Sequence, residues 1–257
     1  MSTAQIHPSA VVDPSAQLGA HVQVGAHVVI EAEVQVAEGT LLLPGTILQR
    51  GARIGARCRL GPYAVVAGEP MDSAFAGETS VAVLEDEVVL RDFATVHRAS
   101  GAGAETRVGA GSLLMSYVHV SHNVQVGRAC VLTTHVQLGG HSRVEDYAVL
   151  GANAMLHQHA RVGAYAMVAA LSGVLSDVLP FSLAQGRPVK HYRLNRVGLQ
   201  RRGIVGERYA WLEQAIRAFR RDDRASLQAL AAQSPDVQRM LTFEANSRRG
   251  LSRFVGR

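Results

Sequence analysis

Aliphatic side chains recur on the positions divisible by six, from Ile6 through Val12, Leu18 and Val24 to Val168 and Val174. They fill 26 of 29 such slots, and only Asp72, Glu78 and Ala102 break the series. A period of six fits neither an amphipathic helix nor a simple strand alternation. It is the pattern of a hexapeptide β-helix, an all-β solenoid in which short strands coil and stack. Three hexads make one triangular turn, so residues 18 apart in sequence become neighbours about 4.8 Å apart. The span from 6 to 179 holds nine to ten turns. The repeat domain is expected over residues 1–189, with two stretches that interrupt the hexads without losing phase, at about 67–80 and 97–107. Long loops on a regular solenoid are frequent sites of function.

The pattern changes after Pro180. AQGRPVKHYRLN (184–195) reads as a connector, and residues 190–257 as a small α-helical domain. GERYAWLEQAIRAFRRDD places Tyr209, Leu212, Ile216 and Phe219 on one helical face. RASLQALAAQ and SPDVQRMLTFEANSRRG read as two further helices. Ser234 is the expected N-cap of the second, with Pro235 in its first turn and Gly250 as its expected stop.

Composition narrows the class. Aromatics make up 5% of the chain and glycines number 25, which suits a narrow interior with tight corners. Cys58 and Cys130 lie four turns apart if every turn has 18 residues, too far for a disulfide, so both are expected reduced, as in a cytoplasmic protein. No basic-then-apolar leader opens the chain, and no run of about 18 apolar residues predicts a membrane span. The net charge is divided. Residues 1–189 carry 11 Arg against 15 Asp and Glu, net −4, whereas residues 190–257 carry 15 Lys and Arg against 6 Asp and Glu, net +9. The basic end suits a phosphate or an acidic protein, or is a solvated helical surface. Without interleaved aromatics or a nucleic-acid motif, no nucleic-acid partner is expected.

Eleven histidines are present, and several gather in LLMSYVHVSHNVQVG, LTTHVQLGGHSRV and AMLHQHARVG. The 18-residue rule stacks His122, Gly140 and Gln158 in one column and Asn123, His141 and His159 in the next. His119 and His157 fall beside them. This grouping has the parts of an acyl-transfer site. His122 can act as general base on a hydroxyl, and the Gly140 amide can face a tetrahedral oxyanion. Gln158, His141 and His157 can orient an acceptor. No Ser or Cys nucleophile is paired with a base, which favours direct transfer. A metal site is the alternative, but the strings supply no carboxylate or thiolate, so neither metal nor other cofactor is expected. A third reading leaves the histidines as solvated corner residues of a non-catalytic scaffold.

Over nearly its whole length the chain resembles the UDP-N-acetylglucosamine 3-O-acyltransferases of lipid A biosynthesis. The resemblance rests on the order and spacing of GEPMDSAFAGE, TVHRAS, LLMSYVHVSH, LGGH, MLHQ, the AQG connector, NRVGLQRRG and SRRGL. It implies a left-handed parallel β-helix, a homotrimer with active sites between subunits, and transfer of a 3-hydroxyacyl chain from acyl carrier protein to the 3-hydroxyl of a UDP-sugar. It implies His122 as the base, Gly140 as the oxyanion amide, and His119, His141, His157, Gln158 and Asp72 as substrate contacts. Asn195, Arg201 and Arg202 fall on positions tied to nucleotide and donor, and Ala170 on a position setting the depth of the acyl groove. The chain departs from the family at four places. Asn123 replaces the usual Asp after the catalytic His, Met71 replaces Gln and Ala74 replaces Lys in the insertion loop, and Val197 replaces the acidic residue of the NxEGLKRRG string. These changes leave open a related transferase acting on another nucleotide sugar or an amino sugar.

Overall fold

The computed structural model describes residues 4–256. The first three residues of the expected repeat domain and the last residue of the chain lie outside it. Three sheets of eleven, nine and eight strands, parallel except for the last strand of the first, form the faces of a triangular prism. We call them the first, second and third faces, opening with Gln5–Ile6, Val11–Val12 and Gln17–Leu18. The β-helix is left-handed, as the resemblance implies. Most strands are two residues long: one side chain points out, and the next, on the six-residue register, points in. Leu42, Leu60, Leu90, Leu114, Leu132, Leu138 and Leu150 are fully buried. Two residues before each slot a second inward set appears, small or β-branched, as at Val118, Val124, Val136, Ala148 and Ala160. These smaller groups fill the corners that the large aliphatics leave.

Most corners turn through a residue at positive φ. Most of these residues are not glycine, for example Asn123 (60°), His141 (59°) and His159 (65°). Such a conformation is costly for most side chains, and Asn is among the types that best tolerate it.

Eight rungs carry a strand on all three faces, and the isolated bridge of Val178 to Val162 completes a ninth, the low end of the expected nine to ten. The stacking interval is not 18 throughout. Leu60 pairs with Leu90 and Leu90 with Leu114, intervals of 30 and 24, because the insertion loops add residues to two rungs. Arg59, Val89, Leu113 and Val131 are successive partners, so Cys58 and Cys130 stand three rungs apart rather than four. Both are buried free thiols. Burial raises their pKa values to about 11 and about 12, which leaves them unreactive. Both loops leave the prism at the corner between the second and third faces. One runs between strands Val65–Gly68 and Val81–Leu84, the other between Thr95–His97 and Glu105–Val108.

The expected connector is itself regular. Ser182–Gly186 adds to the first face beside Met167–Val168 and pairs antiparallel with Val189–Leu194. This hairpin straddles the position where the repeat domain was expected to end. Four helices follow: α1 (Arg196–Arg201), α2 (Gly206–Arg221), α3 (Arg224–Ala231) and α4 (Pro235–Ala245). Sequence periodicity does not announce α1, which is a single short turn-and-a-half capped by Asn195. The Ser234 side chain caps α4 as expected. That helix ends at Ala245 with Asn246 as its C-cap, however, and Gly250 lies beyond it in a turn. Leu212, Ile216 and Phe219 of α2 pack with Leu179, Phe181, Met240 and Phe243 into a second core at the base of the prism. No helix among the described residues is long and apolar enough to cross a membrane.

Candidate active site

The corner between the second and third faces carries the densest chemistry. In register there, His122, Gly140 and Gln158 occupy the first turn position of three successive rungs, and Asn123, His141 and His159 the second. Backbone bonds tie the columns together: the His141 N–H donates to the His122 carbonyl at 3.1 Å and the His159 N–H to that of Gly140 at 3.0 Å.

His122 is 5% exposed. Its Nδ1 lies 2.9 Å from Asn123 Oδ1. The orientation of that amide is fixed from outside. Asn123 Oδ1 also accepts from the Ser100 N–H at 3.0 Å, and its Nδ2 donates to the Ser100 carbonyl at 2.9 Å. An amide oxygen can only accept, so Nδ1 of the neutral imidazole carries the proton and Nε2 is the free base. Nε2 faces Gly140. A Cβ placed on Gly140 would lie 2.5 Å from it, and the three nearest atoms it would meet all belong to the His122 ring. The Gly140 N–H makes no hydrogen bond among the described residues, so an unpaired amide lies next to the His122 ring.

The insertion loops complete the site. The first brings Asp72, whose Oδ2 stands 3.7 Å from His122 Nδ1. Its carboxyl is held below the usual carboxylate range, chiefly by the Ala74 N–H, then by Ser100, with His122 and His141 contributing. The sequence strings lacked a carboxylate in the histidine cluster, and the loop supplies one. Asp72, His122 and His141 offer ligand-type atoms within 4.8 Å of one another. The second loop brings Ser100. The two loops brace each other through Gly101 N–H to Glu78 at 2.6 Å, Gly103 N–H to the Thr79 carbonyl at 2.8 Å, and Arg98 over the Phe75 ring.

The His141 ring stands edge-on to that of His122 and stacks on that of His159, with centroids 5.2 and 4.8 Å away. Its pKa is lowered by burial first and then by the two neighbouring imidazoles. His119 faces outward from the second face on the rung of His122. Its Nδ1 shares a hydrogen bond with Thr95 Oγ1 at 2.8 Å, and burial, then His97, lower its pKa to about 4. It therefore stays neutral at working pH. His157 and Gln158 are exposed two rungs from His122 on the same corner, where His157 Nδ1 donates to the Gln158 carbonyl at 3.0 Å.

The other candidates lie elsewhere in the chain. Ala170 is exposed at the corner between the first and second faces, three rungs beyond His122. Asn195 is buried and committed: its Oδ1 accepts from the Gly198 N–H, and its Nδ2 donates to the Tyr165 carbonyl at 2.9 Å. Arg202 lies over the ring of Tyr147, which occupies the corner between the third and first faces. Within one chain, then, the third face separates Asn195, Arg201 and Arg202 from His122. Sequence reasoning missed Ser100 and the approach of Asp72 to His122. The signal was present, since both interruptions follow slots, Val66 and Val96, that stack above Val120.

Fold and site together fit a hexapeptide-repeat acyltransferase: a parallel β-helix with a tautomer-fixed imidazole next to an unpaired glycine amide. A family model described as UDP-N-acetylglucosamine O-acyltransferase, domain 2, matches residues 177–252. The acyl-[acyl-carrier-protein]–UDP-N-acetylglucosamine O-acyltransferase of Thermodesulfovibrio yellowstonii is 36% identical over 78% of this chain and 80% of its own length. That of Chlamydia caviae is 42% identical over 78% and 74%. Among solved structures, the UDP-N-acetylglucosamine acyltransferase of Bacteroides fragilis superposes with a TM-score of 0.91 at 30% identity, covering 97% of this chain and 100% of that one. The Francisella novicida enzyme gives 0.94 at 28% identity, covering 98% and 95%. This chain belongs to the UDP-N-acetylglucosamine O-acyltransferase family.

Proposed function

We propose that the protein transfers a 3-hydroxyacyl chain from the thioester of acyl carrier protein to the 3-hydroxyl of UDP-N-acetylglucosamine, the entry reaction of lipid A synthesis. The observation that carries the mechanism is the fixed tautomer of His122, with Nε2 turned toward Gly140. Nε2 takes the proton of the sugar hydroxyl as its oxygen attacks the thioester carbonyl. The Gly140 N–H donates to the oxyanion as charge develops there. Collapse of the tetrahedral intermediate breaks the carbon–sulfur bond, and the proton held by His122 passes to the departing thiolate. No covalent acyl-enzyme and no metal are needed. The Asn123 amide holds the ring but carries no charge to balance the imidazolium. Asp72, a carboxylate 3.7 Å from Nδ1, supplies that charge.

The separation of Arg201 and Arg202 from His122 across the third face supports a site shared between subunits, whereas Asn195 holds its place by capping α1. A homotrimer that sets the basic edge of one protomer against the His122 corner of the next meets this need. His119, His141, His157 and Gln158 then contact the acceptor, and Ala170 bounds the acyl groove three rungs away. The protein works in the cytoplasm, where its carrier and nucleotide substrates are made. A second reading, an acceptor bearing an amine on the nucleotide sugar, is favoured by the neutral partner of His122, because an amine asks less of a base than a hydroxyl does. Incubation of acyl carrier protein thioesters with UDP-N-acetylglucosamine and its 3-amino analogue in competition, read by mass spectrometry, separates the two. Transfer at the wild-type rate by a folded His122→Ala protein would refute both.

A further inference from the structure

Beside the catalytic corner, facing the third sheet, a cavity of about 530 Å³ lies between the prism and the chain just after α4. Its walls carry Arg143, Arg161 and Arg248, with His141 and His159 along one side, and no carboxylate lines it. Arg143 and Arg161 are direct cross-strand partners. Like charges placed opposite each other destabilise a sheet unless something offsets them. One rung above Gln125 on the same face, Arg107 shows how the fold handles a lone guanidinium: Glu85 at 2.6 Å and Glu105 at 2.8 Å neutralise it. Arg143 and Arg248 have no carboxylate partner among the described residues.

Arg161 is held rigid. Its Nε donates to Asp177 at 2.8 Å, one terminal nitrogen donates to the Phe243 carbonyl at 2.6 Å, and the guanidinium lies over the Phe243 ring. The other terminal nitrogen is uncommitted. Asp177 offsets one of the three charges, and two remain. The His141 ring that borders the cavity stands 5.2 Å from the ring of His122.

We propose that this cavity is a phosphate-ester subsite, in which Arg143, Arg161 and Arg248 take an anionic group of one substrate while its reacting part lies at His122. The assignment to a substrate rests on the proposed acyltransferase reading, in which both the nucleotide sugar and the prosthetic arm of the carrier hold phosphates. Planar guanidinium forks suit phosphate oxygens, and two uncommitted cations beside a rigid third match a group of charge near −2.

The full-length protein titrated with inorganic pyrophosphate tests the site without turnover. Calorimetry and thermal shift should show saturable binding that weakens at least tenfold in the Arg143→Gln/Arg248→Gln double variant. Arg161 is left intact because its pair with Asp177 supports the fold. His122→Ala should bind pyrophosphate as the wild type does. In steady state, the double variant should raise KM at least tenfold for whichever substrate places its phosphate there, the UDP-sugar or the acyl carrier protein, with kcat at saturation retained. Pyrophosphate binding unchanged in the double variant overturns the subsite, as do two unchanged KM values. If the wild type turns over neither substrate, the acyltransferase reading fails, and the pyrophosphate titration still decides the cavity.

Discussion

Replacing Gly140 by Ala tests the site at its tightest point. The φ of Gly140 is not in the left-handed region, so alanine is conformationally admissible there, and the backbone N–H remains in place. The added methyl would lie 2.5 Å from His122 Nε2, 2.6 Å from Cε1 and 3.2 Å from Cδ2. Ordinary contact begins near 3.4 Å, so the ring must retreat by about 1 Å. It cannot do so freely, because Nδ1 is bonded to an amide that Ser100 holds at both ends. A displacement of about 1 Å from a reactive geometry costs on the order of 100-fold in rate, or about 2.7 kcal/mol of transition-state stabilisation. Overpacking at a buried position should also lower stability by about 1–3 kcal/mol. Turnover measured by mass spectrometry should therefore fall about 100-fold in kcat, and urea unfolding should show the stability loss. In a His122→Ala background the methyl meets no ring, so adding Gly140→Ala should cost almost no further stability. Wild-type turnover in Gly140→Ala, or a stability loss as large with the ring absent as with it present, would refute the geometry.

Three further outcomes follow from neighbouring groups. Asp72→Asn should lower kcat by about 10- to 100-fold, less than the loss of a directly bonded triad aspartate because the carboxylate stands 3.7 Å away. A rise in KM with unchanged kcat would instead make Asp72 a substrate contact only. His191 is fully buried, accepts from the Leu179 N–H at Nε2, and has its pKa lowered to about 4 by burial. Because its folded pKa lies below the unfolded one, the unfolded chain binds the proton first as pH falls. Its stabilising contribution is present above about pH 6.5 and declines toward pH 4, by about 2 kcal/mol at pH 5. Urea midpoints at pH 7.5 and 5.0 should differ accordingly, and less so in His191→Asn. Dialysis against EDTA should leave turnover unchanged, since the proposed proton transfers need no metal at Asp72, His122 and His141; loss restored by zinc would show that they hold one.

Much of the molecule was legible in the sequence because a solenoid makes spatial neighbourhood a function of sequence interval. Aliphatic slots at every sixth position name the inward residues directly, and the interval of 18 stacks His122 on Gly140 with no knowledge of loops, since no insertion falls between them. The same ruler failed where loops lie. It misplaced Cys58 relative to Cys130 by a rung, because 30- and 24-residue intervals replace 18 there. It was silent on Asp72 and Ser100, whose positions follow from loop hydrogen bonds that carry no period. It also could not show α1, a helix of six residues fixed by one cap and by packing of Leu199 rather than by an amphipathic repeat.

These failures bear on the divergence at Asn123. Read along the sequence, an amide in place of a carboxylate after the base looks like a weakened catalyst. In the folded chain the amide performs a task that a carboxylate could not perform in the same place: Nδ2 donates to the Ser100 carbonyl, while Oδ1 accepts from both the Ser100 N–H and His122. An ionised Asp there would set a second acceptor against that carbonyl and loosen the second insertion loop. The first loop braces against the second through Glu78 and Gly101, so its carboxylate at Asp72 would lose its approach to His122 as well. Orientation and charge, joined in one aspartate in the usual family pattern, are here divided between Asn123 and Asp72. Asn123→Asp alone should therefore lower kcat. If it raises kcat instead, measured at saturating substrates with the loops intact by hydrogen exchange, the division of labour is wrong.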